Sequence, residues 1–145
     1  MMNQKLLVLV IDSSVAVKWL IIKDEHYIKQ ADKILSFVKE GRAKLLMPEL
    51  AKYEIGNVLL NKKLSQQDVE QSLYIFYKIP INFYQETYAL SLLTSRIALD
   101  KQITYYDASF MALAKEQKAV LVTDNPKHQN KKISGLKVVS LQNYR

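Results

Sequence analysis

Two apolar runs limit what this chain can become. Leu6-Leu7-Val8-Leu9-Val10-Ile11 contains no polar side chain and stops at Asp12, and Ala119-Val120-Leu121-Val122-Thr123 stops at Asp124. A strand with one wet face alternates polar and apolar residues. A continuous run suits a strand buried on both faces, as in a parallel sheet flanked by helices. Lys44-Leu45-Leu46-Met47 and Lys137-Val138-Val139-Ser140-Leu141 read as further short strands. Ile79-Pro80-Ile81-Asn82-Phe83 reads as an edge strand, because Pro80 cannot donate to a central ladder.

Helical patterns fill the intervals. Ser13 or Ser14 can cap a helix running to Leu20. Glu25 to Glu40 places Ile28, Ala31, Leu35 and Val38 on one side and ends at Gly41, a natural C-cap. Pro48 is expected to open a third helix, where its missing N–H does no harm. In that helix Glu54 and Asn57 lie one turn apart on a polar stripe beside Ala51, Ile55, Val58 and Leu59. Ser65-Gln66-Gln67-Asp68 caps a fourth helix to about Tyr77, and Gln85 to Asp100 forms a fifth. The next helix carries Asp107, with Phe110, Met111 and Ala114 on its face. Lys127 to Lys132 reads as a basic loop containing His128. Strands alternating with helices predict a helix-rich three-layer α/β domain with a mainly parallel sheet, spanning residues 1–145.

The acids fall in revealing places. Asp12 and Asp124 each follow a buried strand, the edge where α/β sheets place ligands. Asp107 starts a helix and Glu54 lies within another. Each has a plainer reading: an acid at a helix start satisfies free N–H groups, and Glu54 could be solvated. If the strand ends share one edge, however, the four carboxylates converge, repel and raise one another's pKa. Such a cluster calls for a cation, and hard oxygen donors favour Mg²⁺ or Mn²⁺. The chain has no cysteine and only two histidines, His26 and His128, so a zinc set of the His–Cys kind is excluded. His128 itself reads as a surface residue.

Composition narrows the partner. The net charge is +7 over 145 residues, which favours an anionic partner, nucleic acid first. Lys127, Lys131 and Lys132 are placed to meet a nucleic-acid backbone, or are simply solvated. Absent cysteine and an N-terminal run too short for a membrane span make the cytoplasm the expected home and a membrane partner unexpected. A basic protein with a carboxylate metal cleft is a candidate metal-dependent nuclease.

Four segments resemble the motifs of PIN-domain proteins, and most closely the VapC family of toxin ribonucleases. They are Val10-Ile11-Asp12-Ser13-Ser14-Val15-Ala16-Val17-Lys18-Trp19, Pro48-Glu49-Leu50-Ala51-Lys52-Tyr53-Glu54-Ile55-Gly56-Asn57, Thr104-Tyr105-Tyr106-Asp107-Ala108-Ser109 and Val120-Leu121-Val122-Thr123-Asp124-Asn125. They occur in order and span nearly the whole chain. The resemblance implies a Rossmann-like α/β/α fold and Mg²⁺- or Mn²⁺-dependent cleavage of RNA phosphodiesters. It also implies a homodimer and a small VapB-like antitoxin that blocks the site.

By position, Asp12, Glu54 and Asp107 match the family's metal-site acids, and Ser14 matches the hydroxyl residue after the first acid. The last motif departs from the family pattern of Thr, any residue, Asp. Asn125 holds the acid's slot and Asp124 stands one residue early, so Asp124 is expected to take the fourth role. Thr123 and Asn57 are expected to support the site, Asn57 by orienting Glu54. Apolar helix faces bearing Leu73, Ile75, Phe76, Tyr77 and Leu90 are expected to pair two copies. The rival functions are a housekeeping RNA-processing nuclease, an inactive PIN-like binding module and a phospho-acceptor module. The last would want a lysine just after the final strand, whereas Lys137 precedes it.

Overall fold

The computed structural model describes residues 5–21, 23, 25–129 and 131–144. The first apolar run becomes β1 (Leu7–Ile11), the middle strand of five. β2 (Ala43–Pro48) lies on one side of it, followed outward by β3 (Ile81–Tyr84). β4 (Val120–Thr123) lies on the other side, followed by β5 (Lys137–Ser140). Every pairing is parallel, with Leu9 opposite Leu45 and Val10 opposite Leu121. Val10, Ile11, Leu45, Leu121 and Val122 are fully enclosed, as continuous apolar strands require. β3 is an edge strand, as Pro80 foretells.

The helices are α1 (Ser13–Ala16), which tightens into a 3₁₀ turn at Val17–Trp19, then α2 (Ile28–Lys39) and α3 (Ala51–Asn61). After them come α4 (Gln66–Lys78), α5 (Tyr88–Lys101), α6 (Tyr105–Glu116) and a short α7 (Pro126–Gln129). Gly41 ends α2 at φ +72°, a conformation natural to glycine. Right-handed crossovers from β1 to β2 to β3 carry α1–α4 over one face. The return from β3 to β4 reverses direction and carries α5 and α6 over the other. The direction of winding therefore switches between β1 and β4. Their C-terminal ends form the crevice where open α/β sheets bind ligands.

α6 is more deeply enclosed than a one-sided helix. Every residue from Ala108 to Ala114 is buried, because α6 lies on β1, β2 and β4 beneath α5. Thr104 caps it by accepting from the Asp107 N–H at 3.0 Å.

Three local expectations are corrected. Pro48 ends β2 opposite Tyr84 and does not open α3, whose N-cap is Leu50. Neither Ser13 nor Ser14 caps α1; Asp12 holds the cap position, and both hydroxyls turn to carboxylates instead. The segment expected as a basic loop begins with α7, and Asn130 within it lies outside the described residues.

Candidate active site

The crevice is organised around Asp12, which sits just past β1 and is only 4% exposed. Its Oδ2 accepts from the Ser14 hydroxyl at 2.6 Å and from the Thr123 hydroxyl at 2.9 Å. A buried carboxylate needs such donors to remain charged. Both come from chain turns that the strand ends supply, Ser14 from α1 and Thr123 from the last residue of β4. Thr123 is used twice over, since its Oγ1 also accepts from the Asn125 N–H at 2.9 Å. Oδ1 of Asp12 is left facing the imidazole of His128 at 3.6 Å.

His128 is the residue the sequence misplaced. It is fully buried, held there by the single turn of α7. Its Nδ1 lies 3.5 Å from Thr123 Oγ1, and its Nε2 lies 3.3 Å from Asp107 Oδ1. The Nε2 contact has no hydrogen-bond geometry, so this nitrogen is buried without a hydrogen-bond partner among the described residues. A readable signal for this turn lay in Asn125-Pro126: an Asn cap followed by Pro at the first helical position. Asn125 Oδ1 does accept from the Lys127 N–H at 3.0 Å.

Glu54 approaches from α3 and accepts from the Ser13 hydroxyl at 2.9 Å. Asn57, expected to orient it, is exposed one turn on; Ser13 performs that task from the α1 side. Burial pushes the Glu54 carboxyl above the usual range; Ser13 opposes this, while the charges of Asp12 and Asp107 add to it. Asp107 goes the other way. Contact with His128 holds its carboxyl below the usual range against burial, with help from Thr104 and Lys127. Burial opposes charge on His128, but contact with Asp107 and the charges of Asp12, Asp107 and Glu54 outweigh it and raise its pKa. Burial and, behind it, repulsion by the other acids thus raise Glu54, while an imidazole outweighs burial at Asp107.

Asp124 stands apart from this set. Its Oδ2 is ion-paired at 3.0 Å with Lys18, a lysine only 3% exposed that also meets Glu25 at 3.1 Å. Its backbone N–H donates to Ser14 Oγ at 3.0 Å, which ties the β4 end to the Asp12 turn. Lys18 went unremarked in the sequence because the partner that buries it lies far along the chain. A cleft of about 350 Å³ opens beside Asp107, lined in part by Thr104, Lys127 and Lys131. Two lysines and the Asp107 carboxylate on its lining suit a phosphate approached by a cation.

Asp12, Glu54 and Asp107 can be tested as metal donors on chemical grounds. All offer hard oxygens, and three acids against one imidazole leave excess negative charge. His128 Nε2, without a hydrogen-bond partner among the described residues, lies against one of these acids, Asp107. Among the described residues no three such side chains already stand as a closed cage, so binding would draw them together. By chemical type, rather than by present spacing, the donor set suits a divalent cation.

An all-parallel α/β domain with acids gathered at its winding switch has the ligand-binding crevice of open α/β sheets. The sequence matches the PIN domain over residues 9–133, and the chain belongs to that family. No curated protein matches it significantly. Similar solved structures include VapBC2 from Rickettsia felis bound to a DNA fragment from their promoter. It has 14% identity and a TM-score of 0.71, over 92% of this chain and 98% of that one. VapBC-1 from nontypeable Haemophilus influenzae has 20% identity and a TM-score of 0.64, over 94% of this chain and 100% of that one. VapC20 from Mycobacterium tuberculosis, a sarcin-ricin loop cleaving toxin, has 11% identity and a TM-score of 0.64, over 86% and 96%. These identities speak for a shared fold.

Proposed function

We propose that this chain is a VapC-type toxin, an endoribonuclease that hydrolyses RNA phosphodiester bonds with Mg²⁺ or Mn²⁺. The observation that carries this reading is the convergence of Asp12, Glu54 and Asp107 at the switch crevice of a PIN domain. Asp12, Glu54 and Asp107 would hold the ion, which when bound lowers the pKa of a water and neutralises charge on a phosphate. Ser14 and Thr123 fix the Asp12 carboxylate, Ser13 fixes Glu54, and Thr104 fixes the start of α6. Lys127 and Lys131 line the cleft where an RNA backbone would lie. The surrounding burial keeps bulk water from Asp12 and His128.

RNA as substrate is supported by the net charge of +7 and by the similarity to a toxin that cleaves the sarcin-ricin loop. A VapB-like antitoxin as partner is supported by the VapBC structures that share the fold. A homodimer is the second proposed partnership. Phe76 and Leu90, expected on that surface, belong to the core. Tyr74 and Tyr77 on α4 and Tyr88 and Leu99 on α5 remain exposed, from 61% to 82%, and support it instead. No helix among the described residues is long and apolar enough to cross a membrane.

The test is incubation of pure protein with mixed RNAs in Mg²⁺, Mn²⁺ or EDTA, beside Asp12→Asn. Metal-dependent cleavage lost in the variant is expected. Cleavage that survives EDTA, or that persists in Asp12→Asn, refutes the reading.

A further inference from the structure

We propose that His128 is a metal-site residue in its own right, supplying an imidazole nitrogen beside the carboxylates and tilting the site toward Mn²⁺ over Mg²⁺. This inference rests on the carboxylate site proposed above, and adds to it a donor that position in the motifs did not suggest.

The geometry has three parts. His128 is fully buried, so its ring nitrogens cannot be satisfied by bulk water. Nδ1 faces Thr123 Oγ1 at 3.5 Å, which can accept a proton from it, and lies 3.6 Å from Asp12 Oδ1, beyond hydrogen-bond reach. Thr123 Oγ1 already donates to Asp12 and accepts from Asn125, which leaves it one lone pair for Nδ1–H. That leaves Nε2 as the ring nitrogen open to a cation. Among the described residues Nε2 has no hydrogen-bond partner, and it stands 3.3 Å from Asp107 Oδ1. A cation seated between that buried nitrogen and the Asp107 carboxylate would serve both.

This is the arrangement of a metal-bound histidine, whose second nitrogen is anchored by a carboxylate or similar acceptor that fixes ring and tautomer. Neighbouring ligands of an octahedral ion with bonds of about 2.1 Å stand about 3 Å apart. The Nε2–Oδ1 separation of 3.3 Å is close to that spacing. Imidazole is a poor ligand for Mg²⁺, which prefers oxygen, and a better one for transition ions. A site of three carboxylates and one imidazole should therefore favour Mn²⁺ more than an all-oxygen site does.

Pulsed electron paramagnetic resonance of the Mn²⁺-loaded full chain reads the bond directly. Wild type is expected to show nitrogen coupling to Mn²⁺, and ¹⁵N-histidine labelling is expected to change it. His26→Gln removes the other histidine, which is exposed, and should leave the signal intact. His128→Gln should abolish it, and in calorimetry should lower the Mn²⁺-to-Mg²⁺ affinity ratio by about tenfold. Labelling makes the wild-type result independent of whether His128→Gln folds. Bound Mn²⁺ without nitrogen coupling overturns the role of His128 and leaves the carboxylate site standing. Absence of Mn²⁺ binding overturns both.

Discussion

Asp12 and Asp124 follow neighbouring parallel strands at the same edge of one sheet, yet their surroundings differ. Asp12 is buried, accepts from two hydroxyls and faces an imidazole. Asp124 is partly exposed and spends its charge on Lys18. Strand-end placement brings an acid to the crevice. The next residues decide whether it points in or is drawn off by a cation. Ser14 is shared by both ends, donating its hydroxyl proton to Asp12 and accepting from the Asp124 backbone, so the two turns are fixed together.

Substitution of the inner and outer acids separates them most sharply. Asp12→Asn and Asp107→Asn should each cut RNA cleavage by about 1000-fold or more, because a metal supplies several kcal/mol to such a transition state. RNA binding, carried by distributed lysines, should stay near wild type in a filter-binding assay. Asp124→Asn should lose no more than about tenfold in rate. Equal losses at Asp12 and Asp124 would erase the distinction between them.

A smaller effect belongs to stability at the outer acid. Lys18→Met strands Asp124 and leaves Glu25 only its longer pairing with Lys62, and should cost about 2–3 kcal/mol in urea unfolding, below the loss for a fully buried pair because both acids are partly wet. Adding Asp124→Asn to Lys18→Met should restore part of it; strict additivity would show that the ion pair contributes nothing. At the inner acid, Thr123→Val removes one of Asp12's donors and leaves the Asn125 N–H unpaired. That should cost about 1–2 kcal/mol, with Thr123→Ser close to wild type.

The smallest effects have opposite signs. The Glu54 carboxyl is raised, so its relative stabilisation is present below the ordinary carboxylate range and lost as pH rises through the folded pKa. Near neutral pH its charge opposes folding, and Glu54→Gln should melt a few degrees higher in EDTA. The Asp107 carboxyl is lowered by His128, so its contribution is present above the unfolded pKa and lost as pH falls through the folded one. Asp107→Asn should therefore melt lower in EDTA. Shifts of the same sign in both variants would contradict the charge pattern assigned to the site.

The strands were legible because continuous apolar runs have few other uses. Val10, Ile11, Leu121 and Val122 had to lie in a sheet covered on both faces, and Pro80 had to mark an edge. The crevice was legible in outline because acids ended two of those strands. Side-chain destinations were not. Nothing beside Lys18 in the chain marks it as buried, and Asp124, which pairs with it, lies far along the sequence. His128, between lysines in a polar stretch, reads as surface until the single turn of α7 folds it under Asp12 and Asp107. Pro48 could equally begin a helix or end a strand, and only its pairing with Tyr84 decides.

The central claim is that the inner carboxylates hold a divalent ion. Thermal melting of wild type, Asp12→Asn and Asp124→Asn with rising Mn²⁺ after EDTA treatment tests it most directly. A ligand that binds only the folded state adds about 2.7 kcal/mol at 100 times its Kd. Wild type and Asp124→Asn should both climb in melting temperature with Mn²⁺, while Asp12→Asn stays nearly flat. A climb in Asp12→Asn equal to wild type, or a flat response in Asp124→Asn alone, would move the metal to the outer acid and contradict the account.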